Sequence, residues 1–448
     1  MSVLERVKTC ESRATDEGRA PQGRSEEYRR LREDLRHELV DRLGLSAIAS
    51  MLRSVSVPQV RQELEVTCQA ILNEAHFSSL MRSEQASITN EVLDDICGYG
   101  PIQRLLDDDS VSEIMINGIG ALFFERNGKI ESAQSVFESK DQILMVIDRI
   151  LAPLGRRLDR SNPLVDARLA NGDRVNAVSD TIALNGPVVT IRKFSDRITS
   201  LDRLVELGSL PAWYAQLLAW AVHSREDIAV AGGTGSGKTT LLNALSTQIG
   251  IDERIVTIED SAELRFDSHP DVVRLEARSA SIEGTGEISI RDLVKNALRM
   301  RPDRIVVGEC RGEETIDMLQ AMNTGHDGSL TTLHAGSAQE AILRLVLMAR
   351  FGMDLPTDII EEQIASALDL LVMSARYPDG TRRITSLSEV SRGEKGGVRL
   401  NECISYDQVT GEWELLREPS FVSQALRSGE LTREEVERWR CLMSPLAA

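Results

Sequence analysis

Residues 232–239 read Gly-Gly-Thr-Gly-Ser-Gly-Lys-Thr, and few strings of this length constrain a fold so tightly. An apolar run, Ile228-Ala229-Val230-Ala231, comes just before it. Leu241, Leu242, Leu245 and Ile249 follow at helical spacing. Strand, glycine loop and helix in that order form a phosphate-binding loop. Glycines let backbone N–H groups turn inward around a phosphate chain, and the helix N-terminus adds partial positive charge. Gly232, Gly233, Thr234, Gly235, Ser236, Gly237, Lys238, Thr239 and Thr240 are therefore expected to bind a nucleotide. Lys238 would reach its β- and γ-phosphates, and the Thr239 hydroxyl would hold Mg2+. The plain alternative is a glycine-rich turn with no ligand, and the flanking pattern argues against it.

The chain has 448 residues, a length that suggests about three domains. Hydrophobic residues make up 42% and aromatics 4%, which predicts an aliphatic core of the α/β kind. A formal net charge of -18 argues against sequence-independent binding to nucleic acid. The six cysteines form no Cys-x-x-Cys pair, so neither a zinc site nor a redox dithiol is expected, and dispersed thiols fit a reducing compartment. Met1 to Arg24 is polar and carries no apolar segment of the secretory type. No apolar run reaches 18 residues, so any membrane role is expected to be peripheral.

Composition and periodicity divide the chain. Residues 1–25 read as a disordered tail. Residues 26–96 read as a helical bundle, with Leu31, Leu35, Leu39, Val40 and Leu43, then Val60, Leu64, Val66, Ala70 and Ile71, at helical spacing. Residues 97–194 read as a mixed α/β domain: strands at 113–117 and 121–125, a helix at 142–154, a hairpin over 166–178 around Asn171-Gly172, and a strand at 188–194. Residues 195–210 read as a polar linker containing one short helix. From 211 to 392 strands (254–259, 304–309, 329–334) alternate with helices (289–300, 313–323), which predicts a mostly parallel sheet covered on both faces. Residues 393–448 read as a C-terminal extension with short strands and an amphipathic helix near 434–440.

Nucleotide hydrolysis needs Mg2+ ligands, a group that orients water, and positive charge for the transition state. In parallel sheets such groups sit at the carboxyl ends of strands. Glu259 ends one predicted strand and Glu309 another, so the two are expected to converge on the γ-phosphate, with helix capping as the alternative role for each. His326 and His334 bracket a third strand and are candidates for sensing that phosphate. A metal site there lacks a third ligand. Arg168, Arg174, Arg192 and Arg311 are candidates for phosphate contacts or arginine fingers. Taken singly, each is as readily a surface ion-pair partner.

Eight ordered blocks carry a resemblance: GYGPIQRLL (98–106), VSEIMING (111–118), VDARLANGDRVNAV (165–178), GPVVTIRKF (186–194), AGGTGSGKTTLLNAL (231–245), ERIVTIED (253–260), RDLVKNALRMRPDRIVVGE (291–309) and LQAMNTGHDGSLTTLHA (319–335). Together they resemble the secretion-ATPase superfamily of type II secretion, type IV pili and type IV secretion. The likeness is closest to the Tad/CpaF branch, which powers assembly of Flp (tight-adherence) pili. The resemblance implies an N-terminal helical bundle, a PAS-like mixed α/β domain and a RecA-like P-loop domain. It makes Lys238 and Thr239 the Walker A pair. Glu259 falls in the aspartate box, where it would orient water. Glu309 ends the Walker B strand, where it would act through Mg2+. His326 and His334 fall in the histidine box, and Arg174 and Arg192 match arginines that reach the nucleotide. It further implies ATP as substrate, a homohexamer, polytopic inner-membrane platform proteins as partners, and a place in the cytoplasm at the inner face of that membrane. A conjugation-type type IV secretion ATPase and a non-hydrolysing, nucleotide-gated assembly factor are the alternatives. The four-cysteine zinc module of many type II enzymes is missing, Cys310 stands where the branch usually has an aliphatic residue, and the tail from about Lys395 matches nothing in the family.

Overall fold

The computed structural model describes residues 22–443 except 55, 75–76, 78–79, 127, 134–136, 138, 170, 194–199, 267–268, 279–284 and 395. The expected tail thus lies outside the described residues up to residue 21, and from Gln22 the chain is already helical. The protein forms two units, Met1–Phe194 and Ser195–Ala448.

The first unit opens with α1 (Gln22–Leu43), α2 (Leu45–Ser54), α3 (Val57–Leu72) and α4 (Arg82–Cys97). Leu31, Leu35 and Leu39 recur every four residues, which places them on one face of α1. They bury against Leu64, Cys68, Ile71, Ile88 and Val92. After the short α5 (Gln103–Asp107) come β1 (Val111–Asn117), β2 (Leu122–Arg126), β3 (Lys129–Ser132), α6 (Lys140–Leu151), β4 (Leu164–Arg168), β5 (Arg174–Val178) and β6 (Val188–Arg192). The strands form an antiparallel sheet of order β3-β2-β1-β6-β5-β4. Alternate residues Ile114, Ile116, Val175, Ala177, Val189 and Ile191 share a core with Ile143, Val146, Ile147 and Ile150 of α6. The β4–β5 turn uses Gly172 at φ 95° and the Asn171 side chain, which accepts from the Asp173 N–H. That is the chemistry an Asn-Gly pair brings to a hairpin.

The second unit begins with α7 (Leu201–Glu206) and α8 (Ala212–His223). Then follow β7 (Ile228–Gly232), α9 (Lys238–Ser246), β8 (Ile255–Glu259), β9 (Val272–Glu276), α10 (Ile290–Ala297), β10 (Arg304–Val307), α11 (Glu314–Met322), β11 (Leu330–His334), α12 (Ala338–Gly352) and α13 (Thr357–Ala367). The chain closes with β12 (Leu370–Arg376), β13 (Arg382–Arg392), β14 (Val398–Asp407), β15 (Glu412–Leu415), α14 (Ser420–Ser428) and α15 (Arg433–Leu442). The nine strands lie in the order β15-β14-β13-β12-β7-β11-β10-β8-β9. Pairing is parallel from β12 through β7, β11, β10 and β8 to β9, and antiparallel from β12 outward to β15. Every residue of β7, β8 and β10 is buried, as helices on both faces require. Along β7, Ile228 and Val230 join the core beneath α8 and α9, while Ala229 and Ala231 join the core beneath α11 and α12.

Two expected boundaries are corrected. Of the segment read as a linker, residues 200–210 are part of the second unit, with the expected short helix as α7, because Leu201, Leu204 and Leu210 are buried in the same core as Leu241 and Leu242. Nor does the sheet of the second unit end at residue 392. There β13 pairs directly with β14, and Cys403, Ile404, Phe421, Val422 and Trp439 belong to that core. The Trp439 indole stands 5.5 Å from Trp220 and donates to the Trp213 carbonyl at 2.6 Å. β14 and β15 bury few of their residues, so no sustained apolar run marks them, which is why this segment reads as an appendage in sequence.

Candidate functional site

The glycine loop joins β7 to α9 at the carboxyl end of the parallel strands. Gly235 has φ 69° and Gly237, at the N-cap of α9, has φ 97°, a region open to glycine and costly for other residues. Gly232 is demanded by close approach instead: a Cβ there would lie 2.3 Å from the Ser374 carbonyl oxygen and 2.5 Å from Ser236 Oγ. The loop therefore has the shape that lets backbone amides surround an anion. Lys238 is 7% exposed. Its Nζ donates to the Gly232 and Gly233 carbonyls at 3.1 and 3.0 Å and lies 3.5 Å from His334 Nδ1.

From Lys238 a chain of alternating charge runs across the strand ends. His334 closes β11, which pairs with β7 so that His334 stands opposite Gly232. Its Nε2 lies 2.9 Å from Glu309 Oε1. Burial, then the Lys238 charge, pushes the imidazole below its usual value, with Glu309 opposing. The neutral Nε2–H tautomer suits both neighbours: Nδ1 faces the ammonium and Nε2–H the carboxylate. Glu309 Oε2 accepts from Arg311 Nη2 at 2.6 Å, and Arg311 Nη1 reaches Asp260 Oδ2 at 3.3 Å. Behind Glu309, the Cys310 thiol is fully buried between Met318 and Thr331 and is pushed up to about 12 by burial, so it packs as an inert hydrophobe.

Glu259 ends β8 and is only 2% exposed. Gly308 leaves it room, since a Cβ there would lie 3.0 Å from Glu259 Cγ. Its Oε2 accepts the N–H groups of Glu263 and Leu264 at 2.6 and 2.8 Å, while Oε1 is buried with no hydrogen-bond partner. Burial pushes this carboxyl up to about 7, against the pull of those two donors. A carboxyl near neutrality with one unused oxygen has the properties of a water-orienting base.

Lys238, Glu259, Glu309, Arg311 and His334 are thus gathered at one edge of the sheet, with Thr239 and Thr240 in the first turn of α9. His326 is not, which corrects the expected pairing of the histidines. It precedes β11, at the opposite edge, and its Nδ1 lies 3.2 Å from the Ala321 carbonyl of α11. A five-residue strand separates its flanking residues by well over 10 Å. Arg168, Arg174 and Arg192 belong to the first unit, where Arg174 stands opposite Arg168 on β4 and Arg192 on β6. The three form one cross-strand row, and Glu113 lies 3.9 Å from Arg192. Sequence reasoning missed Ser374, Arg376 and Arg382, which touch the glycine loop from the β12–β13 hairpin. The Pro378-Asp379-Gly380 turn after an apolar run was the available signal.

A glycine loop, its lysine and acids at the carboxyl ends of a mostly parallel sheet define a protein of the P-loop nucleotide-binding class. Residues 95–386 match the family described as type II/IV secretion system protein, and the chain belongs to that family. A putative conjugal transfer protein of Mycobacterium tuberculosis is 35% identical over 67% of this chain and 86% of its own length. The type IV secretion system protein VirB11 of Brucella abortus is 33% identical over 65% of this chain and 87% of its own. Among solved structures, the VirB11 ATPase of the Brucella suis type IV secretion system, in complex with sulphate, is 30% identical over 64% of this chain and 92% of its own, with a TM-score of 0.35.

Proposed function

We propose that the protein hydrolyses ATP to drive a membrane-embedded secretion or pilus machine of the type II/IV class. The observation that carries this reading is the run Lys238–His334–Glu309–Arg311 beside the unpartnered oxygen of Glu259, all at the mouth of a loop shaped for phosphate. Lys238 would leave the carbonyls of its own loop for the β- and γ-phosphates. Glu259 would orient the attacking water. Mg2+ would be held by Thr239 and Glu309, hard oxygen donors suited to it, and would neutralise phosphate charge. Glu309 Oε2 is held by Arg311, whereas Oε1 lies 2.9 Å from the His334 ring without a hydrogen bond and is the oxygen that would meet the ion. Arg311, and Arg174 and Arg192 of the first unit, remain candidates for the cations that stabilise the transition state.

The finer reading is a homohexamer at the cytoplasmic face of the inner membrane, working with polytopic platform proteins of a Tad-type pilus or Tad-like secretion machine. Among the described residues no helix is long and apolar enough to cross a membrane, which accords with peripheral attachment. A conjugation-type machine is the second reading, favoured by relatives whose names refer to conjugal transfer and type IV secretion. Cross-linking in cells, followed by mass spectrometry of the membrane fraction, separates the two. Tad-type platform proteins in the eluate support the first, and type IV channel components support the second. Absence of ATP turnover by the purified protein would overturn both in favour of a nucleotide-gated assembly factor.

A further inference from the structure

The hairpin joining β12 to β13 lies against the glycine loop at three places. Ser374 Oγ and Ser236 Oγ are hydrogen-bonded at 2.8 Å within the buried layer. Arg382 Nε donates to the Gly235 carbonyl at 2.9 Å. A Cβ on Gly235 would lie 3.1 Å from Arg376 Nη1, and one on Gly237 would lie 3.4 Å from Arg382 Cδ. Two guanidinium-bearing side chains thus crowd the two left-handed glycines that give the loop its curvature. Arg376 and Arg382 stand directly opposite each other in the β12–β13 ladder, so both guanidinium-bearing residues lie on the same stretch of the hairpin beside the loop.

The hairpin is held firmly in place. At its tip Asp379 accepts from the Thr381 N–H and hydroxyl at 2.9 and 2.7 Å. The Tyr377 ring stands 6.1 Å from Tyr406, which stands 4.6 Å from Trp413. The Trp413 indole in turn donates to the Ile384 carbonyl of β13 at 2.6 Å. Tyr406 and Trp413 belong to β14 and β15, so the C-terminal strands brace the element that carries the two arginines.

We infer that Arg376 and Arg382 form a second basic wall of the phosphate site, contributed by the same chain as the glycine loop, and that they bind the phosphate chain of the nucleoside triphosphate. This rests on the reading of that loop as an ATP site. Guanidinium groups suit the role because their planar fork matches phosphate oxygens. The wall adds charge from the side of the loop away from Glu259 and Glu309, so it serves affinity and not the attacking water.

The test is nucleotide affinity of the full-length protein, read by fluorescence of labelled ATP, ADP and GTP and by the ligand-induced rise in melting temperature. Arg376→Ala and Arg382→Ala are each expected to weaken binding about tenfold for all three nucleotides, more at low salt. Arg376→Lys and Arg382→Lys should recover part of the loss. Melting temperatures without nucleotide should stay close to wild type, which separates a lost contact from a lost fold. Lys238→Ala is the reference. If that variant loses affinity while the two arginine variants bind as tightly as wild type, the proposal is overturned and the ATP site stands. A loss confined to adenine nucleotides also overturns it, because that would place the arginines on the base. If wild type binds none of the three nucleotides, the underlying reading fails instead.

Discussion

The two edges of the nine-stranded sheet handle buried charge in opposite ways. At the amino ends of the strands Arg304 is completely buried, and each of its three guanidinium nitrogens donates a hydrogen bond. It donates to Glu253 from Nε at 2.8 Å and from Nη2 at 3.0 Å, to the Val222 carbonyl at 2.9 Å and to the Gly328 carbonyl at 3.1 Å. Nearby, Asp227 accepts the Ser329 N–H and gives its own N–H to Asp369, tying β7 to the entries of β11 and β12. At the carboxyl ends, Glu259 keeps one buried oxygen without a donor, and Lys238 turns back on the carbonyls of its own loop. An unmet buried oxygen costs free energy that ordinary structure avoids. The first edge therefore fixes the fold, while the second is held in a form that a ligand completes.

The sharpest break of that comparison is Lys238→Ala. It should lower ATP turnover by about 10³–10⁵-fold, the range for losing a cation at a phosphoryl transition state. Its melting temperature should barely move, since the lysine donates to carbonyls of its own loop and does not tie one element of the fold to another through them. Turnover within tenfold of wild type would mean that the carboxyl-end group is not the working site. Arg304→Met is the mirror experiment. It strands Glu253 and two buried carbonyls, and breaking a buried pair on one side costs about 3–5 kcal/mol. Arg225 Nη2, 2.7 Å from Glu253, holds the loss toward the lower end. Chemical denaturation should show that loss, with turnover per folded molecule unchanged.

Glu259→Gln sharpens the contrast from the other side. The amide keeps an acceptor for the Glu263 and Leu264 N–H groups but cannot take a proton from water. Turnover is expected to fall about 10²–10⁴-fold, the usual worth of a positioned base. Stability should hold or rise slightly, because a carboxyl pushed up to about 7 by burial is one the fold tolerates at a cost when it is ionised. A clear drop in melting temperature with little loss of turnover would make Glu259 a structural group and place it with Arg304.

These differences also explain what sequence could and could not disclose. The glycine loop, Glu259, Glu309 and His334 were legible because each sits in, or just beyond, a short apolar run that reads as a strand, and strand ends in a parallel sheet share an edge. His326 misled for the same reason. A residue before a strand and one after it look equivalent in a string, yet they stand at opposite edges. Arg304 reads as the first polar residue of a strand, and nothing local announces that Glu253 and two carbonyls will enclose it. Ser374 and Arg382 lie 138 and 147 residues from their partners in the loop. Contacts across that separation are created by sheet order, which no local pattern encodes. The strands after residue 392 were underread because few of their residues are buried and the alternation of β14 is broken at Cys403, which the register with β13 skips between Ile404 and Glu402.

The smallest expected effect tests the amino-end edge through pH. Burial, and next the charge of Asp369, pushes Asp227 up to about 9, and the same two causes push Glu226 up to about 8. Between the ordinary carboxyl range near 4 and these values, the folded protein holds protons that the unfolded chain has released. Stability from these groups is therefore greatest below about pH 4 and declines as pH rises toward 9. Carboxyls that are held low act in the other direction only at more acidic pH, as Asp108 does at about 2 through its Ser110 and Arg126 partners. Between pH 6 and pH 9 the second unit should accordingly lose stability. Asp227→Asn keeps an acceptor for the Ser329 N–H but has no proton to lose, so for each pH unit within that interval its decline should be shallower than wild type by about 1 kcal/mol, the linkage of one proton. Parallel declines in the two proteins would show that Asp227 ionises freely in the fold, and the contrast between a saturated edge and an incomplete one would then rest on Arg304 alone.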